Sequence, residues 1–235
     1  MLHGTGGTAL LAIEETRLAE FAERAGFAVA FPEGLPVKPD LPARFLSNPQ
    51  RWNDGSTGPG HALHTDNDDV GFVAAIIVDA SARANADPER VFLTGFSNGA
   101  SMAFRFAAER AELIRAVAPI AGYNWIENPE PSRPVPTLYL IGDADPLIPL
   151  HGGEVRLPWF PQPVVRPGIE PGLAAWRRGL GSAAATHFDL EVIPGLGHHW
   201  PGGKGLLNPR IGGTPSDAVD ANERIWKFFR NASAS

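Results

Sequence analysis

The chain of 235 residues contains no cysteine. It can therefore form no disulfide bond and has neither a thiol nucleophile nor a thiolate metal ligand. Long apolar runs are also missing, since none approaches the roughly 18–20 residues of a membrane-spanning helix. The first residues lack the basic and apolar regions of a signal peptide, but this leaves the compartment unknown.

The chain has fewer positively than negatively charged residues. Lysine and arginine number 20 against 26 aspartates and glutamates, which gives a formal net charge of −6. That balance disfavours nucleic acid or an anionic membrane surface as the main partner. The length and the 43% of hydrophobic residues are enough for a substantial core. We expect a single domain over residues 1–235.

Short apolar runs alternate with segments of helical periodicity. Strands are predicted over residues 27–31, 91–94, 116–120, 137–141 and 188–193. Helices are predicted over residues 8–25, 69–80, 100–108, 173–180 and 217–229. This alternation predicts an α/β fold with a mostly parallel sheet and helices on both faces. Two long, proline-rich loops, residues 32–66 and 151–171, are expected near the active site.

Gly95-Phe96-Ser97-Asn98-Gly99 lies between a predicted strand and a predicted helix. A strand, Gly-x-Ser-x-Gly and a helix form the context of a nucleophile elbow. The glycines permit a turn too sharp for larger residues, and the turn places the serine at the positive end of the helix. The pattern predicts Ser97 as a nucleophile. The alternative is a structural turn that happens to contain a serine.

A serine nucleophile needs a base, usually a histidine, that is oriented by a carboxylate. In α/β-hydrolases the order is Ser, Asp or Glu, His, each in a loop after a strand. Asp143 and Asp145 follow the 137–141 strand. We favour Asp145, because it lies deeper in the loop and Pro146 stiffens the exit. Asp143 is expected to bond backbone amides of the turn, and the alternative is that both aspartates do so.

The glycine-rich loop after the 188–193 strand presents two histidines, His198 and His199. Their spacing does not decide which one is the base. His151 follows the acid loop and is a further candidate for lining the site. The remaining loop histidines, which are His61, His64 and His187, are expected on the surface.

An oxyanion intermediate needs backbone N–H donors. The residue after the nucleophile, Asn98, is expected to provide one. The early loop that contains His3 and Gly4 is expected to provide the other, with Thr5 as first choice and Gly6 as second. His3 itself is expected to form structural hydrogen bonds. A phosphate-binding loop is the alternative, but the segment lacks the lysine and the length of a Walker loop.

No metal or cofactor is predicted. The acidic segment 66–69 is interpreted as a helix cap, because no glycine and glutamate follow at EF-hand spacing. The aromatic residues Trp52, Trp125, Trp159 and Trp200 lie in the long loops or beside the predicted base. We predict that they bind the substrate, although each could instead pack its own loop onto the sheet, least so Trp200.

The chain resembles the polyhydroxybutyrate depolymerase and feruloyl esterase-like group of α/β-hydrolases almost from end to end. The segments that carry the resemblance are residues 2–8, 67–72, 95–100, 142–149, 197–198 and 200–202. The resemblance implies Ser97 as nucleophile, Asp145 as acid and His198 as base, with Thr5 and Asn98 as oxyanion donors. It also implies hydrolysis of feruloyl-type or short acyl and hydroxyalkanoate esters without a cofactor. Members of the group are often secreted.

Two departures from the group matter. The oxyanion loop has Thr5 where members often have cysteine, a change that keeps the backbone donor. Members also have strands ahead of this loop, whereas only Met1 and Leu2 precede it here. We expect either a piece of a longer protein or a sheet without its first strands. The exposed edge would favour a homodimer or strand exchange.

Two other functions remain open at this point. The fold also occurs in binding proteins without catalysis, and fold alone does not define function. The same triad could also hydrolyse amide or peptide bonds. Small-molecule or polymeric esters are nevertheless the expected substrates.

Overall fold

The computed structural model describes residues 1–57 and 66–234. Its strands are β1 (Phe92–Phe96), β2 (Ala116–Ile120), β3 (Thr137–Gly142), β4 (Gly153–Val155), β5 (Val164–Arg166) and β6 (Phe188–Ile193). Four of them form one sheet in the order β1-β2-β3-β6, and every neighbouring pair in it is parallel. β4 and β5 form a separate antiparallel pair. The predicted α/β fold with a mostly parallel sheet is confirmed.

The helices are α1 (Ala9–Thr16), α2 (Leu18–Ala25), α3 (Asp69–Ala84), α4 (Asn98–Glu109), α5 (Glu170–Leu180), α6 (Ala184–His187), α7 (Pro209–Gly212) and α8 (Ala221–Ala234). Short 3-10 turns occupy residues 88–90, 111–113 and 181–183. Within the described part of the chain, no helix is both long and apolar enough to span a membrane. The acidic segment acts as predicted, because Asp68 caps α3 by accepting the N–H of Gly71 at 2.9 Å.

The single helix predicted over residues 8–25 is wrong in one respect. Arg17 has φ 53° in the left-handed region and divides the segment into α1 and α2. The hydroxyl of Thr16 donates to Ala12 O at 2.7 Å and accepts the N–H of Leu18 at 3.1 Å. One side chain therefore ends the first helix and satisfies the start of the second. Gly26 ends α2 with φ 77°, as the sequence predicted.

The sheet is buried on both faces by different helices. Along β3, Tyr139 and Ile141 belong to the core under α3, α4 and α5, whereas Leu138 and Leu140 belong to the core under α2 and α8. Successive side chains of a strand point to opposite faces, so a strand covered on both sides is apolar throughout. This is why the continuous apolar runs at β2 and β3 could be recognised.

The prediction of a strand over residues 27–31 is wrong, because the structure has no strand there. Leu2 occupies the position beside β1: its N–H donates to Thr94 O at 2.9 Å, and its carbonyl accepts the N–H of Phe96 at 3.0 Å. Leu2 forms only an isolated parallel bridge with Gly95, and the Met1 amino group donates to Ala30 O on its other side. The 27–31 segment is thus separated from β1. Among the described residues no strand precedes the loop at His3 and Gly4, as expected, whereas the absence of a strand between that loop and β1 was not expected. The predicted homodimer stays a prediction.

Candidate active site

Ser97 lies in a sharp turn between β1 and α4. Its backbone has φ 56° and ψ −121°, a conformation that costs a non-glycine residue roughly 1–3 kcal/mol. Its N–H donates to Ile120 O at 2.9 Å, and its carbonyl accepts the N–H of Ser101 at 3.1 Å. A Cβ at Gly95 would lie 2.2 Å from Gly99 O, so the crossing of strand and helix requires glycine there. The surroundings hold the serine in this strained geometry.

His198 and Asp145 form a buried pair. The imidazole Nδ1 lies 2.7 Å from Asp145 Oδ2, and the two residues are 3% and 5% exposed. Asp145 Oδ1 accepts the N–H groups of Leu147 and Ile148, both at 2.8 Å. A carboxylate bound in this way favours the tautomer that has its proton on Nδ1, which leaves the lone pair on Nε2. The ring also packs against Phe96 at 4.7 Å between centroids.

Asp143 bonds a backbone amide, as expected, but the amide belongs to the histidine loop and not to its own turn. Its Oδ1 accepts the N–H of Gly195 at 2.6 Å and so joins the acid loop to the histidine loop. A Cβ at Gly142 would lie 1.9 Å from Leu196 O, which shows how closely the two loops approach. Asp143 therefore helps to place Asp145 opposite His198.

The two adjacent histidines have different hydrogen-bond partners. His199 is 1% exposed, and its Nε2 donates to Gly213 O at 3.0 Å rather than to a carboxylate. His198 is the one that reaches Asp145. His151 is exposed and does not line the cavity over Ser97. His61 and His64 lie outside the described residues.

Two backbone donors face the nucleophile. Within the described residues, neither the N–H of Thr5 nor that of Asn98 has an acceptor, and both residues line the cavity that contains Ser97. Gly6, the second candidate for an oxyanion donor, is ruled out because its N–H already donates to Gln50 O at 2.7 Å. Gly4 brings the loop close, since a Cβ there would lie 3.1 Å from Ser97 Cβ.

His3 stabilises the oxyanion loop. Its Nδ1 donates to Gly4 O at 2.8 Å, and its Nε2 accepts the N–H of Gly34 at 3.0 Å. Burial lowers the pKa of His3, which favours the neutral ring that this pair of bonds requires. The expected structural role of His3 agrees with this geometry.

Trp52 lies outside the cavity that contains Ser97, where a substrate-binding residue was predicted. It is fully buried, does not line the cavity, and donates its indole N–H to His3 O at 2.9 Å. Its backbone N–H and carbonyl bond the side-chain amide of Asn98 at 2.7 and 3.1 Å. Trp52 thus connects the oxyanion loop with the first turn of α4. No sequence pattern indicated this role of the Asn98 side chain.

A cavity of about 380 Å³ lies over Ser97 and His198. The three other predicted tryptophans line it, namely Trp125, Trp159 and Trp200. Trp159 donates to Phe45 O at 2.6 Å, which joins the two long loops, whereas Trp200 is 1% exposed and bonds Asn222. Apolar side chains complete much of the wall, including Leu147, Ile148, Leu157, Phe160, Leu206 and Ile211. Described residues of both long loops line the cavity, as was expected of them.

The cavity also contains charged residues that no sequence pattern singled out. Arg51 and Asp54 come from the first long loop, and Arg166 comes from β5 in the second. Arg166 is more than a hundred positions from Arg51 and Asp54 in the sequence, and the folded loops bring it to the same cavity.

The parallel sheet with its elbow, and the histidine–carboxylate pair beside it, define an α/β-hydrolase. Solved structures agree on the fold: Arabidopsis thaliana SOBER1 has a TM-score of 0.59 at 17% identity, covering 98% of this chain and 96% of that one. Esterase PE8 has a TM-score of 0.58 at 19% identity, covering 98% and 90%.

The family is defined by sequence. The family model described as Esterase PHB depolymerase matches residues 1–129, more than half of the chain, and the chain belongs to that family. The resemblance found in the sequence is thereby confirmed.

Curated relatives extend the similarity. "Putative esterase NocK" of Nocardia uniformis subsp. tsuyamanensis is 29% identical, over 97% of this chain and 72% of that protein. Feruloyl esterase C of Emericella nidulans is 33% identical, over 72% of this chain and 60% of that protein. A feruloyl esterase B of Piromyces equi is 33% identical over 43% of this chain, a match that spans 21% of its own length.

Proposed function

We propose that this protein is a serine esterase that hydrolyses carboxylic esters through an acyl-enzyme. The observation that carries the proposal is the contact of 2.7 Å between His198 Nδ1 and Asp145 Oδ2, since His198 lines the cavity that contains Ser97. A nucleophile, an oriented base and two available N–H donors in one cavity are the parts that acyl transfer needs. Membership of an esterase family supports the same reaction.

The residues have distinct roles in the proposed mechanism. Ser97 Oγ attacks the ester carbonyl while His198 Nε2 takes its proton, and Asp145 stays ionised and orients the ring. The negative oxygen of the tetrahedral intermediate accepts hydrogen bonds from the N–H groups of Thr5 and Asn98. His198 then protonates the leaving alcohol. A water molecule activated by the same histidine releases the acid and restores Ser97.

The cavity favours a modest acyl group. About 380 Å³ lies near the lower end of the roughly 300–1,000 Å³ of small-molecule sites. Trp125 and Trp159 present aromatic surface for an aromatic acid or an aliphatic chain. Feruloyl-type esters and short acyl or hydroxyalkanoate esters are therefore the proposed substrates. The names of the feruloyl esterase relatives support the first of these classes.

Labelling with a fluorophosphonate tests the proposal. We expect covalent modification at Ser97, found by peptide mapping, in the wild type and in Ser182→Ala, a matched variant at an exposed serine outside the cavity. Ser97→Ala should not be labelled. Absence of labelling in the wild type would favour a binding protein without catalysis.

Turnover rates of different substrates distinguish an esterase from an amide hydrolase. A 4-nitrophenyl butanoate, a methyl ferulate and a peptide anilide should be assayed side by side. We expect turnover of both esters, and we expect the anilide to be hydrolysed more slowly by orders of magnitude. Faster turnover of the anilide would favour an amide hydrolase with the same triad.

A further inference from the structure

The backbone of Trp52 and Asn53 is bonded to side chains of two helices. The amide of Asn98, at the start of α4, accepts the N–H of Trp52 at 2.7 Å and donates to its carbonyl at 3.1 Å. The carboxylate of Asp69, the first residue of α3, accepts the N–H of Asn53 at 2.6 Å. The guanidinium of Arg105 in α4 donates to the carbonyl of Asn53 at 2.7 Å. Four backbone groups in a stretch outside any helix or strand therefore have side-chain partners.

Residues 50–53, here called the bridging segment, are also bonded to the oxyanion loop. The carbonyl at position 50 accepts the N–H of Gly6 at 2.7 Å. The indole of Trp52 donates to the carbonyl of His3 at 2.9 Å. The proposed donor Thr5 lies between these two attachments in the sequence. The bridging segment therefore joins α3 and α4 to the loop that provides the Thr5 N–H.

Asp69 provides a buried carboxylate for this attachment. The residue is 4% exposed and lies at the N-terminal end of α3. Burial raises the pKa of Asp69, while the hydrogen bond from the Asn53 N–H and the charge of Arg105 oppose that rise. A carboxylate accepts a stronger hydrogen bond from an N–H group than a neutral oxygen does. Loss of Asp69 would leave the half-buried N–H of Asn53 without this partner.

Arg105 holds the same residue from the second helix. Its Nε donates to Glu109 within α4 at 2.7 Å, and its Nη1 reaches the carbonyl of Asn53. The positive charge of Arg105 also attracts the carboxylate of Asp69. Because two helices bond the N–H and the carbonyl of Asn53, the bridging segment cannot shift relative to either helix without weakening one of these bonds.

We propose that Asp69 and Arg105 are positioning residues for the two oxyanion donors. Neither residue lines the cavity over Ser97. They act through the bridging segment, which is bonded to the loop of Thr5 and to the side chain of Asn98. Stabilisation of an oxyanion depends on the placement of its donors to within a fraction of an ångström. This inference rests on the proposed esterase function and extends it to two residues that touch no substrate.

Two adjacent aspartates provide a test with a matched control. Asp69→Leu keeps a similar side-chain volume but removes the acceptor for the Asn53 N–H. At pH 8, with active sites titrated by a fluorophosphonate, kcat for 4-nitrophenyl butanoate should fall roughly tenfold while KM changes less than about twofold. Asp69→Asn keeps an acceptor and should recover most of this loss.

Asp68→Ala is the control, because Asp68 caps the same helix by bonding Gly71 rather than the bridging segment. The variant should be less stable than the wild type and have the same kcat. Equal kcat values of folded Asp69→Leu and Asp68→Ala would overturn the role of Asp69.

Arg105 is tested in the same way. Arg105→Met removes the donor to the carbonyl of Asn53 and should lower kcat several-fold. Glu109→Gln removes the other partner of Arg105 and leaves the guanidinium in place, so kcat should stay at the wild-type value. Because Asp69 and Arg105 hold one residue, the double variant should lose less than the product of the two single losses. Wild-type kcat in folded Arg105→Met would contradict the role of Arg105.

An inhibitor that resembles the tetrahedral intermediate distinguishes positioning from a general effect on the fold. Butaneboronic acid adds to Ser97 Oγ as His198 takes the proton, and a boron-bound oxygen then lies where the oxyanion would be. Its inhibition constant should rise about tenfold in Asp69→Leu, whereas that of the product butanoate should change less than about twofold. A merely structural role would leave both constants unchanged, because they do not depend on the fraction of folded enzyme. An unchanged constant for the boronic acid would overturn the proposal.

Amide hydrogen exchange tests the connection without turnover. The N–H of Gly6 is bonded to the bridging segment, so its exchange rate reports how firmly the oxyanion loop is attached. The rate should rise about tenfold or more in Asp69→Leu and stay at the wild-type value in Asp68→Ala. Unchanged exchange at Gly6 in folded Asp69→Leu would overturn the proposal even if esters are hydrolysed. Faster exchange in a protein that hydrolyses no ester would support the connection and contradict the proposed esterase function.

Discussion

The indole N–H of Trp52 donates to the carbonyl oxygen of His3 at 2.9 Å, deep in the protein. This bond connects the loop that provides the Thr5 N–H to the segment clamped by Asn98. Trp52 thus contacts the neighbourhood of both proposed oxyanion donors, through its buried side chain at His3 and through its backbone at Asn98. Transition-state stabilisation by N–H groups depends on their placement to within a fraction of an ångström.

Trp52→Phe tests this connection. The variant keeps most of the ring volume but leaves His3 O without its donor, at a cost of about 1–3 kcal/mol in the free energy of unfolding. Because Thr5 would lose its fixed position, kcat for an ester should fall roughly tenfold while KM changes little. Trp226→Phe, which alters a tryptophan stacked on Phe27 outside the cavity, should leave kcat unchanged. Wild-type kcat in Trp52→Phe would refute the role.

Gly4→Ala tests the close approach of the oxyanion loop to the nucleophile. The added methyl would lie 3.1 Å from Ser97 Cβ, so the loop must move by a few tenths of an ångström. We expect kcat to fall by roughly 10²-fold. Gly26→Ala is the control, because it strains a left-handed position with open space around it, far from the site. Gly26→Ala should lower the free energy of unfolding by about 1 kcal/mol and leave kcat at the wild-type value. Similar kcat values for Gly4→Ala and Gly26→Ala would argue against the prediction.

Asp145→Asn and Asp143→Asn distinguish the two aspartates. An asparagine at 145 can still accept the N–H groups of Leu147 and Ile148, but it no longer presents a carboxylate to His198 Nδ1. Turnover should fall by about 10⁴-fold, because the ring loses the required tautomer. Asp143→Asn keeps an acceptor for the Gly195 N–H and should stay within a few-fold of the wild type. A larger loss at position 143 would reverse the assignment.

The stability of the fold should depend on pH through His3. Burial lowers the pKa of His3 in the folded state, so below about 6.5 the unfolded chain binds a proton that the folded chain excludes. The free energy of unfolding therefore falls as the pH drops below that value. Urea titrations at pH 7.5 and 5.0 should show a smaller difference for His3→Gln than for the wild type. His151→Gln, at an exposed histidine, serves as the control, and an identical pH response in His3→Gln would contradict the account.

The sequence predicted those parts of the site that depend on local pattern. Ser97, Asp145 and the histidine loop each follow a strand of the parallel sheet, and parallel strands bring their carboxyl ends to one edge of the sheet. The choice between His198 and His199 required the structure, because neighbouring loop residues share the same context. The family resemblance pointed to His198, and the carboxylate contact agrees with it.

Other features depended on partners distant in the sequence. Trp52 was predicted to bind substrate because it is an aromatic residue in a long loop. Only its contact with His3 reveals a structural role. The apolar segment 27–31 has the pattern of a strand, but the position beside β1 is held by Leu2. The charged residues of the cavity wall, Arg51, Asp54 and Arg166, span more than a hundred positions, which no spacing rule could detect.

If Ser97 is the nucleophile of an esterase, turnover of 4-nitrophenyl butanoate by the purified protein must depend on its hydroxyl. We expect Ser97→Ala to lower kcat by roughly 10⁶-fold while the variant remains folded, as loss of the nucleophile does in comparable triads. Turnover by folded Ser97→Ala close to that of the wild type would contradict it.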